Sequence, residues 1–198
     1  MATVGPNYGS VDAFQSSYQF TLSNPTRICS LDGSYVSGQY TTVGTSDIRK
    51  LTGFGFSLPD AAVITGIKCE AYAYASYADD GLRMARFCFW PKAAGGKTGN
   101  SLTTSMFPLS PGWLTVGGDG DLYGQTWVGS DFNLSAGGCY WQVDIDSTGP
   151  AVIGYVDALR MTLYYTVGYA NKVLGCLPAT IAKIMGIPTA NVGKFCGV

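Results

Sequence analysis

The chain has 198 residues, of which 46% are hydrophobic, only 13% are charged and 27 are glycine, a turn-rich and uncharged composition with enough apolar content for a sizeable core. A net charge of -1 supplies no positive field to hold nucleic acid or an anionic membrane surface, and no run of about eighteen apolar residues exists to span a bilayer. Histidine is absent, which removes the usual general base, the imidazole metal ligand and the base partner of a serine or cysteine nucleophile, so the sequence predicts neither an enzyme nor a cofactor or metal.

Twelve of the thirteen acidic residues are aspartate and Glu70 is the sole glutamate, so strong helix formers are scarce. Thirteen tyrosines, nine phenylalanines and four tryptophans suit pleated surfaces, and the class predicted is all-β. The start, Met1-Ala2-Thr3-Val4-Gly5-Pro6, has no basic n-region and no apolar h-region, which predicts synthesis in the cytoplasm without a signal peptide.

Strand signals recur from residue 17 onward. Residues 17–22 and 34–43 are the early candidates, with Asn24-Pro25 and Asp32-Gly33 as turns between them. The longest alternation begins at Val63, with Ile67, Cys69, Ala71, Ala73 and Ala75 on one face and Lys68, Glu70, Tyr72, Tyr74 and Ser76 on the other. Asp79-Asp80-Gly81 then predicts a hairpin-like turn into a strand over 82–90, antiparallel to the first. Residues 91–121 are loop-rich, the length of a functional loop or an assembly surface. Strands over 138–145 and 155–167 close the body; in the second, Tyr155, Asp157, Leu159, Met161, Leu163 and Tyr165 alternate with Val156, Ala158, Arg160, Thr162 and Tyr164. About eight short strands at this spacing predict a jelly-roll-like β-sandwich over residues 1–167.

After Gly168 the texture changes. Lys172, Lys183 and Lys194 recur every 11 residues, as do Gly175, Gly186 and Gly197. Val173, Ile184 and Phe195 share one column of this period, and Leu174, Met185 and Cys196 the next. Such a repeat is a unit that cannot bury its apolar face alone. Residues 168–198 are therefore predicted to be a short C-terminal repeat extension for oligomerisation or docking. Residues 180–195 also mimic a helix-turn-helix through Ala182, Gly186 and Val192. The 11-residue period explains the same residues and more, and the reading helix would offer only Lys194 as a cation.

The six cysteines are Cys29, Cys69, Cys88, Cys139, Cys176 and Cys196, and no two stand at C-x-x-C spacing. That pattern supports neither a zinc ribbon nor a redox pair. Cys69 and Cys88 lie mid-strand among apolar residues and are assigned to the core, as thiols or as one intrachain pair. Cys29, Cys139, Cys176 and Cys196 are placed to reach a neighbouring chain as candidates for an interchain disulfide, with Cys176 and Cys196 foremost. In the repeat columns their places are also filled by Ile187 and Val198, or by Leu174 and Met185. Packing alone therefore explains neither thiol.

Acidic residues cluster at Asp79-Asp80, Asp119-Gly120-Asp121 and Asp144-x-Asp146. Calcium needs six to eight converging oxygens, and the EF-hand spacing is absent, so turn formation is the reading preferred for these aspartates over a metal site or a glycosidase pair. Trp113, Trp127, Trp141, Tyr123 and Tyr140 either stack on sugar rings from exposed loops or fill the core and its rims.

Residues 118–127, Gly-Asp-Gly-Asp-Leu-Tyr-Gly-Gln-Thr-Trp, precede Ser130-Asp131-Phe132-Asn133 and, later, Val156-Asp157-Ala158-Leu159-Arg160-Met161-Thr162-Leu163-Tyr164-Tyr165. This order resembles a β-sandwich module of tailed-bacteriophage structural proteins, in which a D-L-W-G-x-x-W loop precedes a D-(I/F)-N turn and a last strand reads V-D-A-V-R-I-T-V-Y-Y. Ile181-Ala182-Lys183-Ile184-Met185-Gly186-Ile187 likewise resembles the I-A-K-V-N-G-V repeats at the ends of phage fibre and appendage proteins. The resemblance covers roughly residues 60–198. It departs at Tyr123, where the family carries Trp, and at Cys139, where an apolar residue is usual. It implies a non-enzymatic virion component, a capsid decoration, collar or fibre subunit made in the host cytoplasm. Its partners would be copies of itself, as a homo-oligomer taken to be a trimer, and other virion proteins of the capsid, neck or tail, with no nucleic acid or membrane. A carbohydrate-binding host-adhesion module is the alternative, expected to show exposed aromatics with Asp or Asn beside them.

Overall fold

The computed structural model describes residues 1–40, 43–76, 84–93, 95–133, 135, 137–146 and 152–167, with 183–184 and 187–188, and gives the backbone alone at 40, 84–87, 146 and those last four. The chain runs through β1 (Ala2–Tyr8), β2 (Val11–Ser16), a 3-10 turn (Pro25–Ile28), β3 (Val36–Tyr40), β4 (Gly44–Thr45), β5 (Ile48–Thr52) and β6 (Val63–Ala75). It continues through β7 (Met84–Lys92), β8 (Leu102–Thr103), β9 (Gly112–Gly118), β10 (Trp127–Val128), the one-turn helix α1 (Ser130–Asn133), β11 (Gly138–Asp146) and β12 (Val152–Thr166).

Two antiparallel sheets form a jelly-roll-like β-sandwich, and the protein is all-β apart from the short helical turns. In the first sheet β12 and β6 are central, β3 and β1 follow one another along the outer edge of β12, and β9 and β10 do the same along β6. The second sheet runs β2, β5, β11, β7, β8, with β4 also on β11. The inward phase of each central strand builds one core: Ile67, Cys69, Ala71, Ala73 and Ala75 from β6, Leu159, Met161 and Leu163 from β12, Phe89 from β7, and Cys139, Trp141, Val143 and Ile145 from β11. Small residues on β6 face large ones on β11 and β7, which lets the layers interdigitate. Among the described residues no helix is long and apolar enough to cross a membrane.

Four expectations change. β6 and β7 are not partners: β6 pairs β12 over the span from Gly154 to Thr166, and β7 pairs β11 in the opposite sheet. The turn signal at Asp79-Asp80-Gly81, which lies outside the described residues, carries no information about the sheet its second strand joins. The loop-rich segment 91–121 contains β8 and β9; β9 buries Leu114 and Val116 against β6, and its glycines at 112, 117 and 118 dilute the alternation that marks a strand. At the N-terminus β1 and β2 precede residue 17, while 17–22 contributes only a single bridge at Phe20. β1 is broken by a register shift between Val4 and Asn7, around Gly5 and Pro6, which hides its pattern.

The fourth change is in β12. A bulge between Val156 and Ala158 inserts Asp157, so Val152 and Val156 face the core before it and Leu159, Met161 and Leu163 after it. Tyr155 thereby turns outward. Asp157, 1% exposed, accepts the backbone N–H groups of Asp32 at 3.3 Å and Gly33 at 3.0 Å and so anchors that turn.

In the extension, β13 (Lys183–Ile184) pairs antiparallel with β14 (Ile187–Pro188), setting Lys183 opposite Pro188. Lys172, Gly175, Gly186, Lys194, Gly197, Cys176 and Cys196, and the helix-turn-helix reading apart from these four backbone positions, lie outside the described residues.

Candidate functional site

The outer face of the second sheet carries the site. Cys139, Trp141, Val143 and Ile145 of β11 point inward, so Tyr140, Gln142 and Asp144 point outward. Register then sets one row across four strands: Ala13 on β2, Lys50 on β5, Tyr140 on β11 and Trp90 on β7. A second row places Gln142 beside Cys88, and Cys88 beside Thr103 on β8. Two adjoining depressions lie over these rows. One of about 270 Å³ is lined by Tyr18, Ile48, Trp90, Thr98, Ser101 and Gln142. The other, about 240 Å³, is lined by Gln15, Ile48, Trp90 and Tyr140. Ile48 and Trp90 are common to both, so they form one shallow groove.

The groove floor is aromatic and the other side chains that line it are uncharged, while Lys50 and Lys92 stand beside Tyr140 outside that lining. The Trp90 and Tyr140 rings are 5.8 Å apart and tilted by 45°, so neither masks the other. Tyr18 stands exposed at the rim. Lys92 places Nζ 5.9 Å from the Tyr140 ring centre. Gln142 donates Nε2–H to Asp144 at 3.3 Å, and its Oε1 is buried with no hydrogen-bond partner among the described residues. Burial, with Lys50 nearby, pushes the Lys92 ammonium below its ordinary pKa, and burial raises the Tyr140 phenol. No carboxylate lines either depression among the described residues. Such a surface offers ring faces to apolar C–H groups and amide and hydroxyl groups to other hydroxyls.

The outer face of the first sheet is also aromatic but differently built. Tyr74 and Tyr155 stack at 4.6 Å, with Tyr35 edge-on to both. Trp113 lies 5.2 Å from Tyr72 and is covered by the Arg160 guanidinium at 3.7 Å. Glu70 holds Arg160 through two hydrogen bonds of 3.0 and 3.2 Å, and Lys68 at 3.2 Å. These rings pack on one another and form an aromatic plateau.

The aromatics singled out in the sequence thus divide. Trp127, Trp141 and Tyr123 are buried, Trp113 lies on the plateau, and only Tyr140 reaches the groove. The residues resembling the phage motif brace the sandwich. Asp121 accepts the Tyr123 N–H at 3.0 Å, Trp127 donates Nε1–H to the Leu122 carbonyl at 2.8 Å, and Lys97 binds Asp131 and the Thr126 carbonyl beneath the Trp127 ring. Among the described residues no three potential ligands converge as a metal would require.

The four described cysteines are free thiols. Cys69 belongs to the core. Cys88 does not: it lies beneath the groove on the outer face, with Sγ 3.1 Å from Thr103 Oγ1, so it and Cys69 sit on opposite sheets and cannot be one intrachain pair. Cys139 is 0% exposed, and burial pushes its thiol well above the ordinary pKa, so it has no route to another chain. Cys29 is half-buried beside Ala158.

Sequence reasoning missed Trp90, Gln15, Ile48 and Gln142 as site residues. The alternation of residues 138–146 held the signal for Gln142, since its polar phase must face out. The meeting of Trp90 with Tyr140 and Ile48 is a matter of register.

No protein-family model matches the chain, and no curated protein does. Among solved structures, the chain is similar to TmCBM61 in complex with β-1,4-galactotriose at 10% identity and a TM-score of 0.38, covering 79% of this chain and 93% of that one. It is similar to the family 11 carbohydrate-binding module of Lic26A-Cel5E from Clostridium thermocellum at 16% identity and a TM-score of 0.30, covering 83% and 91%. A third likeness is to the enzymatically active domain of bacteriophage CBA120 tailspike protein 4, at 7% identity and a TM-score of 0.33, covering 81% of this chain and 22% of that one.

Proposed function

We propose that the chain is a non-enzymatic carbohydrate-binding module that serves as a surface-adhesion component of a tailed-phage particle. The observation that carries this reading is the groove whose floor is the tilted Trp90–Tyr140 pair and whose rims are Gln15, Gln142, Thr98 and Ser101. A pyranose has an apolar face that stacks on such rings and equatorial hydroxyls that bond such amides. The virion setting is supported by the resemblance over residues 60–198. Binding of the purified chain to an array of bacterial-surface and plant oligosaccharides tests the reading. Trp90→Ala and Tyr140→Ala are expected to weaken it tenfold or more, and an unchanged profile in both variants would overturn it.

The plateau on the first sheet favours a second role, assembly with copies of the chain or with other virion proteins of capsid, neck or tail. Rigid Tyr and Trp with a stacked Arg are the residues that dominate protein interfaces. In this role the protein is a capsid decoration, collar or fibre subunit, and the extension at 168–198 adds an oligomerisation or docking segment. Sedimentation mass with and without reductant reports both the oligomer and any interchain bond through Cys176 or Cys196.

A further inference from the structure

We propose that the groove takes an anionic saccharide, a pyranose whose carboxylate or sulfate sits between Lys50 and Lys92 while its ring lies on Tyr140 and Trp90. The proposal rests on the carbohydrate reading above and names the ligand class. Lys50 is directly opposite Tyr140 across β5 and β11, and Trp90 is opposite Tyr140 on its other side. Lys92 follows Trp90 by two residues on β7, hence on the same face, and stands opposite Gly138, which has no side chain to separate it from the row. Both lysines therefore border one aromatic ring.

Their charges are uncompensated. Among the described residues neither meets a carboxylate, and the one hydrogen bond from either ammonium is Lys92 Nζ donating to the Ala93 carbonyl at 3.2 Å. Elsewhere in the sandwich Arg49, Lys68, Lys97 and Arg160 each have an acidic partner. Two half-buried cations side by side repel one another, and the proximity of Lys50 acts on the Lys92 ammonium in the same direction as its burial. An anion between them removes that repulsion and strengthens in the partly desolvated groove. Gln142, which lines the larger depression, stands two residues along β11 from Tyr140 on the same face.

The test compares oligogalacturonate, its methyl ester, a sulfated oligosaccharide and a neutral cello-oligosaccharide by calorimetry on the full chain, with the oligosaccharide array as the wider survey. Lys50→Gln with Lys92→Gln removes the charges, and Trp90→Ala removes the stacking floor. The acidic ligands are expected to bind tenfold or more tighter than the uncharged ones, with the margin shrinking as salt is added. The lysine double variant should erase the margin between acidic and uncharged ligands. Preference for carboxylate over sulfate, or the reverse, identifies the source of the anion. Equal affinity for galacturonate and its ester, or a preference that survives the double variant, would overturn the anionic assignment and leave the groove reading intact. If no saccharide of either charge binds, both fall.

Discussion

Glu70, the sole glutamate, shows how one residue can organise a face. It lies in the outward phase of β6, where burial alone would raise its carboxyl pKa, but hydrogen bonds from Arg160 and Lys68 outweigh that and hold it below the ordinary value. A folded-state pKa below the unfolded one means the stabilisation is present above the unfolded value of 4.5 and is lost as pH falls through the folded value. Thermal melts from neutral pH downward should therefore show stability falling below about pH 4.5, with Glu70→Gln flattening that slope and lowering neutral stability by about 1–3 kcal/mol. A variant as acid-sensitive as the parent would mean other carboxylates carry the effect. Arg160, released, would also leave the Trp113 face that it covers.

At the scale of elements, β9 depends on a residue with no side chain. Gly117 has φ +68°, and a Cβ there would lie 2.2 Å from the Ile67 carbonyl oxygen of β6. Gly117→Ala must therefore part β9 from β6, at a cost of about 2 kcal/mol or more, seen as a lower melting temperature and faster amide exchange at Leu114 and Val116. The same glycines explain why the strand was illegible in the sequence: they interrupt the alternation that identifies strands. The reverse holds for β6, whose Ile67 to Ala75 phase is uninterrupted, so the sequence places these residues on one face, the face that the structure buries. β12 was legible as a strand, but its phase was not, because a single inserted Asp157 reverses inside and outside without altering composition. The groove was less legible still. Lys50, Tyr140 and Trp90 share a row only once β5, β11 and β7 are in register, and alternation specifies which face a residue takes, never which neighbour stands beside it. Tyr140 stands out in the sequence for its loop-side aromatic character, while Trp90, inside a strand, gives no sign of a partner.

For the whole molecule, the described core is closed by residues between Phe20 and Leu163, and the two sheets end at Thr166. A chain stopped after Val167 is expected to keep its far-ultraviolet circular dichroism and its cooperative melt, and to lose self-association in sedimentation. An unfolded truncation would place residues 168–198 within the folding unit. On the proposed reading the two outer faces divide the work, the groove on the second sheet for a ligand and the plateau on the first for neighbours, with the shared core holding them back to back.

The pairing of β1 with β12, which sets Ala2 opposite Tyr165, also constrains how the protein is made. β1 finds its partner only after the roughly 150 residues between them have been translated, and at about 5–20 residues per second that is a wait of roughly ten to thirty seconds. β6 waits similarly for its long partner. The first sheet therefore assembles from contacts between distant parts of the chain, the class of topology that folds in milliseconds to seconds rather than microseconds. During synthesis the inner residues of β6 are exposed, Ile64, Ile67 and Cys69 in its first half and Ala71, Ala73 and Ala75 in its second. The alanine half offers little apolar surface to other unfinished chains, so the small residues that let the layers interlock also limit what the waiting strand exposes.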